Sequence, residues 1–113
     1  MHGGLEVEMS LSQARFGVGE CVSHRKFGYR GVIIDVDPVF SLSDDWYEST
    51  AKSRPPKDRP WYHLLVHGED HMTYVAERHL EPDLSPDPIQ HPMLDEYLEG
   101  FDGERYQSRV AKN

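Results

Sequence analysis

The sequence predicts an all-β fold, a small and strongly curved barrel of about five strands with a long loop insertion and a C-terminal extension. Short segments with period-two hydrophobicity follow one another along the first three quarters of the chain. Glycines stand where such strands would have to bend sharply, at Gly17, Gly19, Gly28 and Gly31. Small barrels of this kind usually serve as binding platforms, so the pattern argues against an enzyme.

The predicted barrel spans residues 15–82. Its strands are expected at residues 16–24, 29–37, 61–67 and 71–76, with a helical turn at 76–80 before a last short strand. The third and fourth strands are joined by the hairpin loop Gly68-Glu69-Asp70.

The second strand has the clearest alternation. Val32, Ile34 and Val36 share one face and are expected to line the core. Asp35 and Asp37 share the opposite face and are expected to point to solvent, with no evident acid or base partner.

The barrel is interrupted by a long insertion at residues 38–60. Prolines exclude regular structure at Pro38, Pro55, Pro56 and Pro60. Within the insertion, residues 43–48 predict the start of a short helix with Ser43 as its N-cap.

Two tails flank the barrel. Residues 1–14 alternate apolar and acidic or serine side chains, and residues 83–113 form a proline-rich, acidic extension. In the extension, helical spacing relates Met93, Leu94, Tyr97, Leu98 and Phe101. This stripe predicts a short helix that docks on the barrel, and the alternative is a peptide-like element captured by a partner.

Composition limits the function classes. The 113 residues carry a net charge of -8, with 37% hydrophobic residues and a mean hydropathy of -0.70. We therefore expect one domain with a small core, no membrane span and no secretory signal. Cys21 is the single cysteine, which excludes an intrachain disulfide and suits a cytoplasmic location. A strongly basic chain would have favoured nucleic acid, and this chain is acidic.

Four segments together resemble a known family. They are Tyr29-Arg30-Gly31-Val32-Ile33-Ile34-Asp35-Val36-Asp37-Pro38-Val39-Phe40, Asp45-Trp46-Tyr47, Pro60-Trp61-Tyr62-His63-Leu64-Leu65 and Thr73-Tyr74-Val75-Ala76-Glu77. The chain is similar over residues 15–106 to the HspQ family of small bacterial heat-shock proteins, also described as YccV-like or hemimethylated-DNA-binding domains. His91-Pro92 and the stretch 101–106 look like the version found in alphaproteobacteria.

The resemblance implies a small SH3-like β-barrel and a cytoplasmic stress protein. It also implies two activities: binding of hemimethylated DNA, and promotion of the degradation of certain proteins by ATP-dependent proteases. The family's motif has no catalytic set to carry over, and residues 1–14 lie outside the match.

Two groups of side chains are candidate binding sites. Trp46, Tyr47 and Trp61 are candidates for partner binding, because aromatic side chains near loops often anchor a partner. Lys52, Arg54, Lys57 and Arg59 are candidates for contacts with DNA phosphates. The alternatives are ordinary core and rim packing for the aromatic residues and a merely solvated loop for the basic ones.

No cofactor, metal site or catalytic residue is predicted. His67 and His71 flank the hairpin loop near Glu69 and Asp70, but two histidines without cysteine support are a weak metal signal. Cys21 has no obvious base beside it and is not a predicted nucleophile.

Two function classes remain. The first is a non-catalytic interaction module that binds an ATP-dependent protease or its client proteins. The second is a module that recognises hemimethylated duplex DNA. The acidic tails favour the first, because they repel phosphate. Exposed sheet edges and aromatic residues also predict a homo-oligomer.

Overall fold

The computed structural model describes residues 13–85 and 87–109. The predicted N-terminal tail, residues 1–14, lies almost wholly outside the described residues. No helix among those described is long and apolar enough to cross a membrane.

Seven strands and two short α-helices make up the described chain. In chain order they are β1 (Cys21–His24), β2 (Arg30–Asp37), α1 (Asp44–Thr50), β3 (Trp61–Val66), β4 (Met72–Ala76), β5 (Leu80–Pro82), α2 (Leu94–Tyr97), β6 (Leu98–Phe101) and β7 (Tyr106–Ser108). A 3-10 turn, Glu77–His79, precedes β5 as expected.

The first five strands form one antiparallel sheet in the order β4-β3-β2-β1-β5. The all-β class and the five predicted strands are therefore confirmed, although β1 begins at Cys21 rather than at residue 16. β4 and β5 are the two edges of the sheet and do not pair with each other, so the sheet is open. The SH3-like barrel remains a prediction.

All five strands contribute to one core on the inner face of this sheet. The buried side chains that meet there are Phe16, Val22, Ile33, Tyr62, Leu64, Val75 and Leu80. Phe16 stacks edge-on against Tyr62 with ring centroids 5.7 Å apart, which closes one end of the core.

Val32, Ile34 and Val36 do not share one face as predicted, because the ladder between β2 and β3 shifts register between Ile33 and Asp35. This β-bulge adds Ile34 to one strand and reverses the alternation beyond it. Ile33, which is fully buried, therefore lies on the inner face with Val36. Val32 and Ile34 lie instead in a second apolar cluster on the outer face. The predicted common face of Asp35 and Asp37, opposite Val36, is confirmed.

The C-terminal extension covers part of the outer face. Its buried residues Ile89, Leu98 and Tyr106 pack against Val32 and Leu65 of the sheet. The predicted docking is therefore confirmed, whereas the predicted helical stripe is wrong beyond Tyr97. Residues Leu98–Phe101 continue as β6 and pair with β7. Pairing satisfies backbone groups that a second turn of this four-residue helix would otherwise have bonded.

The insertion covers another part of the outer face. α1 begins after Ser43, whose hydroxyl oxygen accepts a hydrogen bond from the backbone N–H of Trp46 at 3.1 Å, so the predicted cap is confirmed. Tyr47 is buried against Trp61 and Ala76 of the sheet. The prolines hold the rest of the insertion outside the sheet, as expected.

Candidate functional site

An open cleft lies at the gap between the two sheet edges. One wall is the edge strand β4, and the other is the β1–β2 turn together with the 3-10 turn that leads into β5. The end of α1 and the loop after it form the third side. The cleft has a volume of about 210 Å³, enough for one or two side chains of a partner.

Aromatic side chains form much of the cleft's lining. Trp61 stacks on Tyr74 with ring centroids 5.1 Å apart, and half-buried Trp46 packs edge-on against both rings. The indole N–H of Trp61 donates to the carbonyl of Pro56 at 3.0 Å, so the ring is fixed by its polar group as well. These contacts leave an apolar, preformed surface that offers few hydrogen bonds of its own.

Phe27 stands at the opposite rim and is 68% exposed. Its ring stacks on buried His24 at 4.6 Å, and His24 stacks in turn on His79 at 5.5 Å. The Nδ1 atom of His24 accepts hydrogen bonds from the backbone N–H groups of Lys26 and Phe27, both at 3.1 Å. The sequence therefore builds a tight turn that holds one large apolar side chain in solvent.

The two histidines of this wall are neutral near physiological pH. Burial lowers the pKa of His24, and nearby His79 and Lys26 lower it further. Burial and then the charges of Arg78 and Lys26 lower the pKa of His79. The imidazoles therefore present uncharged ring surfaces, and the positive charge at the cleft comes from Lys26 and Lys52.

The three predicted partner-binding residues differ in how deeply they are buried. Trp46 and Trp61 line the cleft, although Trp61 is only 1% exposed. Tyr47 is buried beneath α1, and its hydroxyl donates to the carbonyl of Pro55 at 2.6 Å. Tyr47 therefore stabilises the insertion. Of the three residues, Trp46 is the one that remains accessible to a partner.

The four predicted DNA-binding residues do not act as one free basic patch. Arg54 pairs with Glu48 at 3.0 Å and Lys57 pairs with Asp44 at 3.2 Å. The Lys57 ammonium group also lies 4.3 Å from the centroid of the Tyr47 ring. Arg59 is exposed, and Lys52 alone of the four lines the cleft.

The remaining sequence candidates have structural explanations. Burial and the nearby carboxylate of Asp83 raise the pKa of Cys21 to about 11, which keeps the thiol protonated at neutral pH. His67 accepts a hydrogen bond from the backbone N–H of Gln90 at 2.9 Å, and His91 bonds the carbonyl of His71 at 3.0 Å. These histidines tie the hairpin to the extension.

Sequence reasoning missed Phe27, His24 and His79 as parts of the site. The available signal was an aromatic residue placed directly before Gly28 in a tight turn, where an apolar side chain has no core to enter. The histidines gave no such signal, because only the antiparallel pairing of β1 with β5 brings them together.

A family model described as hemimethylated DNA-binding protein YccV like matches residues 14–105. The matched range contains the whole five-stranded sheet, the insertion and most of the C-terminal extension.

Proposed function

The chain belongs to the YccV-like family, and we propose that it is a non-catalytic interaction module that promotes degradation of selected or denatured proteins by ATP-dependent proteases. In this proposal the protein holds a protease component or its client through the cleft. Phe27 and Trp46 supply apolar anchors, and Lys26 and Lys52 interact with acidic groups beside the bound segment.

The observation that carries the proposal is the exposed Phe27 side chain at the rim of the cleft. The Phe27 side chain is 68% exposed. It is nevertheless fixed in position, because two hydrogen bonds to His24 and two ring stacks order the turn that carries it. Large side chains of this kind dominate binding energy when a partner buries them. The preformed cleft also reduces the ordering that binding would require.

The chemistry of the described residues supports a role without catalysis. The cleft contains neutral imidazoles stacked on rings and no carboxylate among the residues that line it in the described part of the chain. Ser53 Oγ and His79 Nε2 lie 2.9 Å apart in the cleft. No carboxylate of the described lining orients this imidazole as a hydrolytic triad requires. We therefore assign binding of a partner to this surface in the proposal.

The proposal is tested by measuring degradation of a denatured client by an ATP-dependent protease with and without this protein. Phe27→Ala is expected to lower the enhancement about fivefold or more, because it removes an exposed anchor that belongs to none of the three buried apolar clusters. Leu84→Ala is the matched control, since Leu84 is 91% exposed and lies outside the cleft. Trp46→Ala is expected to act in the same direction with some loss of stability, because Trp46 packs on Trp61 and Tyr74.

A second candidate function is binding of hemimethylated duplex DNA, which the family's description favours. Lys26 and Lys52 are the cations that line the cleft within the described chain, whereas Arg54 and Lys57 are paired with acids. DNA affinity that falls steeply with salt would support this function. Replacing Lys52, Arg54, Lys57 and Arg59 together should then reduce DNA binding more than proteolysis. Loss of both activities in that variant, with Trp46→Ala and Phe27→Ala unimpaired, would replace the first proposal by the second.

A further inference from the structure

A second cluster of functional groups lies on the outer face of the sheet. Asp35 and Asp37 of β2 and His63 of β3 bring three donor atoms within 4.8 Å of one another. Asp35 and His63 face each other directly in the antiparallel ladder. The cluster occupies the middle of the face, between the part covered by the C-terminal extension and the part covered by the insertion.

The β-bulge at Ile34 creates this cluster. With regular alternation, Asp35 and Asp37 would follow Ile33 onto the inner face and enter the core. The extra residue turns both carboxylates to the outer face, where they meet His63. Bulges commonly re-aim side chains at functional sites in this way.

One of the two carboxylates is already held in place. Asp37 Oδ2 accepts a hydrogen bond from the Tyr74 hydroxyl at 2.7 Å and lies 3.0 Å from His63 Nε2. The Tyr74 hydroxyl oxygen in turn accepts from the backbone N–H of Ser41 at 3.0 Å. Outer contacts of this kind orient the ligands of metal sites.

The other carboxylate is free of cations. Asp35 forms no ion pair with a Lys or Arg among the described residues, and its Oδ1 accepts only the local N–H of Val36 at 2.9 Å. The two clefts that flank His63 are lined, within the described chain, by apolar and uncharged polar side chains besides the cluster's own residues. A cation can therefore approach from solvent, and no lysine or arginine of those linings competes with it.

We propose that Asp35, Asp37 and His63 bind one divalent transition-metal ion of the Zn²⁺ class, with water in the remaining coordination positions. Two carboxylate oxygens and one imidazole nitrogen suit such an ion, whereas Mg²⁺ and Ca²⁺ prefer oxygen ligands alone. Bonds of about 2.1 Å would place the donors roughly 3.4 Å apart. The donors now lie within 4.8 Å of one another, so these partly or fully exposed side chains would adjust on binding. The Nε2 proton now directed at Asp37 moves to Nδ1 or to solvent when the metal binds. This site adjoins the cleft through Tyr74, but metal binding there does not depend on the proposed function.

The test is calorimetric titration of the full-length protein with Zn²⁺ at pH 7.5, beside a titration with Mg²⁺. We expect one Zn²⁺ per chain, and at least a tenfold loss of affinity in both His63→Gln and Asp35→Asn. His71→Gln is the matched control, because His71 lies in the neighbouring hairpin outside the cluster and should leave the affinity unchanged.

Asp35→Asn keeps the test valid if His63→Gln fails to fold, since Asp35 is exposed. Co²⁺ added in place of Zn²⁺ should give visible absorption bands that disappear in the same two variants. Absence of Zn²⁺ binding would overturn the proposal, as would an affinity that survives Asp35→Asn or that falls equally in His71→Gln.

Discussion

The two faces of the five-stranded sheet are covered by different parts of the chain. The inner face is covered by the sheet itself, with side chains from all five strands meeting around Ile33 and Tyr62. The outer face is covered by two separate segments, the insertion at Trp61 and the C-terminal extension at Leu65. Between these two covers, Asp35, Asp37 and His63 remain accessible.

The difference in covering assigns the stability of the fold mainly to the inner face and leaves room for the candidate sites elsewhere. A face closed by its own strands forms a continuous apolar core, whereas a face covered by added segments leaves edges and gaps between them. The cleft with Phe27 lies at the open edge of the sheet, and the Asp–His cluster lies in the gap on its outer face. Both candidate sites therefore lie where neither the insertion nor the C-terminal extension fully covers the sheet.

The largest expected effect is on the inner face. Ile33→Ala should lower the free energy of unfolding by about 2–5 kcal/mol, because the fully buried side chain leaves a cavity. Ile34→Ala should cost less than half as much, since Ile34 is half-buried in the bulge on the outer face. Urea unfolding of both variants measures the difference. Equal losses would mean that the two faces are equally well packed.

A smaller effect is expected where the extension meets the sheet. Gly19 has φ +94°, and a Cβ atom there would lie 2.0 Å from the carbonyl oxygen of Tyr106. Gly19→Ala should therefore cost more than about 1 kcal/mol and loosen the extension. Gly28→Ala is the matched control, because Gly28 has φ +78° with no atom within 4 Å of the added carbon. Gly28→Ala therefore introduces the same kind of backbone strain at positive φ without a clash between the added carbon and a neighbouring atom.

Hydrogen exchange at residues 98–108 reports whether the extension separates from the sheet in the Gly19 variant. Faster exchange there, with β3 unchanged, is the expected result. If the two glycine variants lose equal stability and exchange equally fast, the close contact of Gly19 with Tyr106 does not keep the C-terminal extension on the sheet.

The smallest expected effect is a pH dependence from the cleft wall. The pKa values of His24 and His79 are lowered in the folded protein, so below their ordinary value of 6.5 the unfolded chain binds protons that the folded chain excludes. This contribution to the free energy of unfolding is fully present above pH 6.5, and it is lost as the pH falls from 6.5 through the lowered pKa values of the folded protein. The slope for His24 is at most about 1.4 kcal/mol per pH unit. Urea unfolding of wild type and of His79→Gln at pH 7.5 and at pH 5.5 measures this pH dependence. The prediction is contradicted if the variant loses more unfolding free energy between the two pH values than wild type does.

The sequence predicted the strands and the cap of α1 because these depend on local spacing and local hydrogen bonds. Period-two alternation located β2 and β3, and Ser43 marked the helix start. The bulge at Ile34 could not be predicted, since a run of three apolar residues from Val32 to Ile34 fits either face. The extension was misassigned after Tyr97 for the same reason: helical spacing over nine residues does not exclude a turn followed by a strand.

The candidate sites were harder to predict because their residues are distant in the chain. Trp46 and Trp61 were identified from aromatic character alone, and both line the cleft. The basic loop was identified from charge, but the acids that pair with Arg54 and Lys57 lie in α1, six and thirteen residues earlier. Long-range pairing also decides that His24 meets His79 and that Asp35 meets His63.

The measurement that tests the cleft most directly is photo-crosslinking from its rim. A benzophenone amino acid is placed at Phe27 in one protein and at Leu84 in another, and each is irradiated with an ATP-dependent protease, its client and hemimethylated duplex DNA. We predict crosslinks to the protease or the client from position 27 and none from position 84. Crosslinks to DNA alone from position 27, or protein crosslinks equally from both positions, would contradict the account.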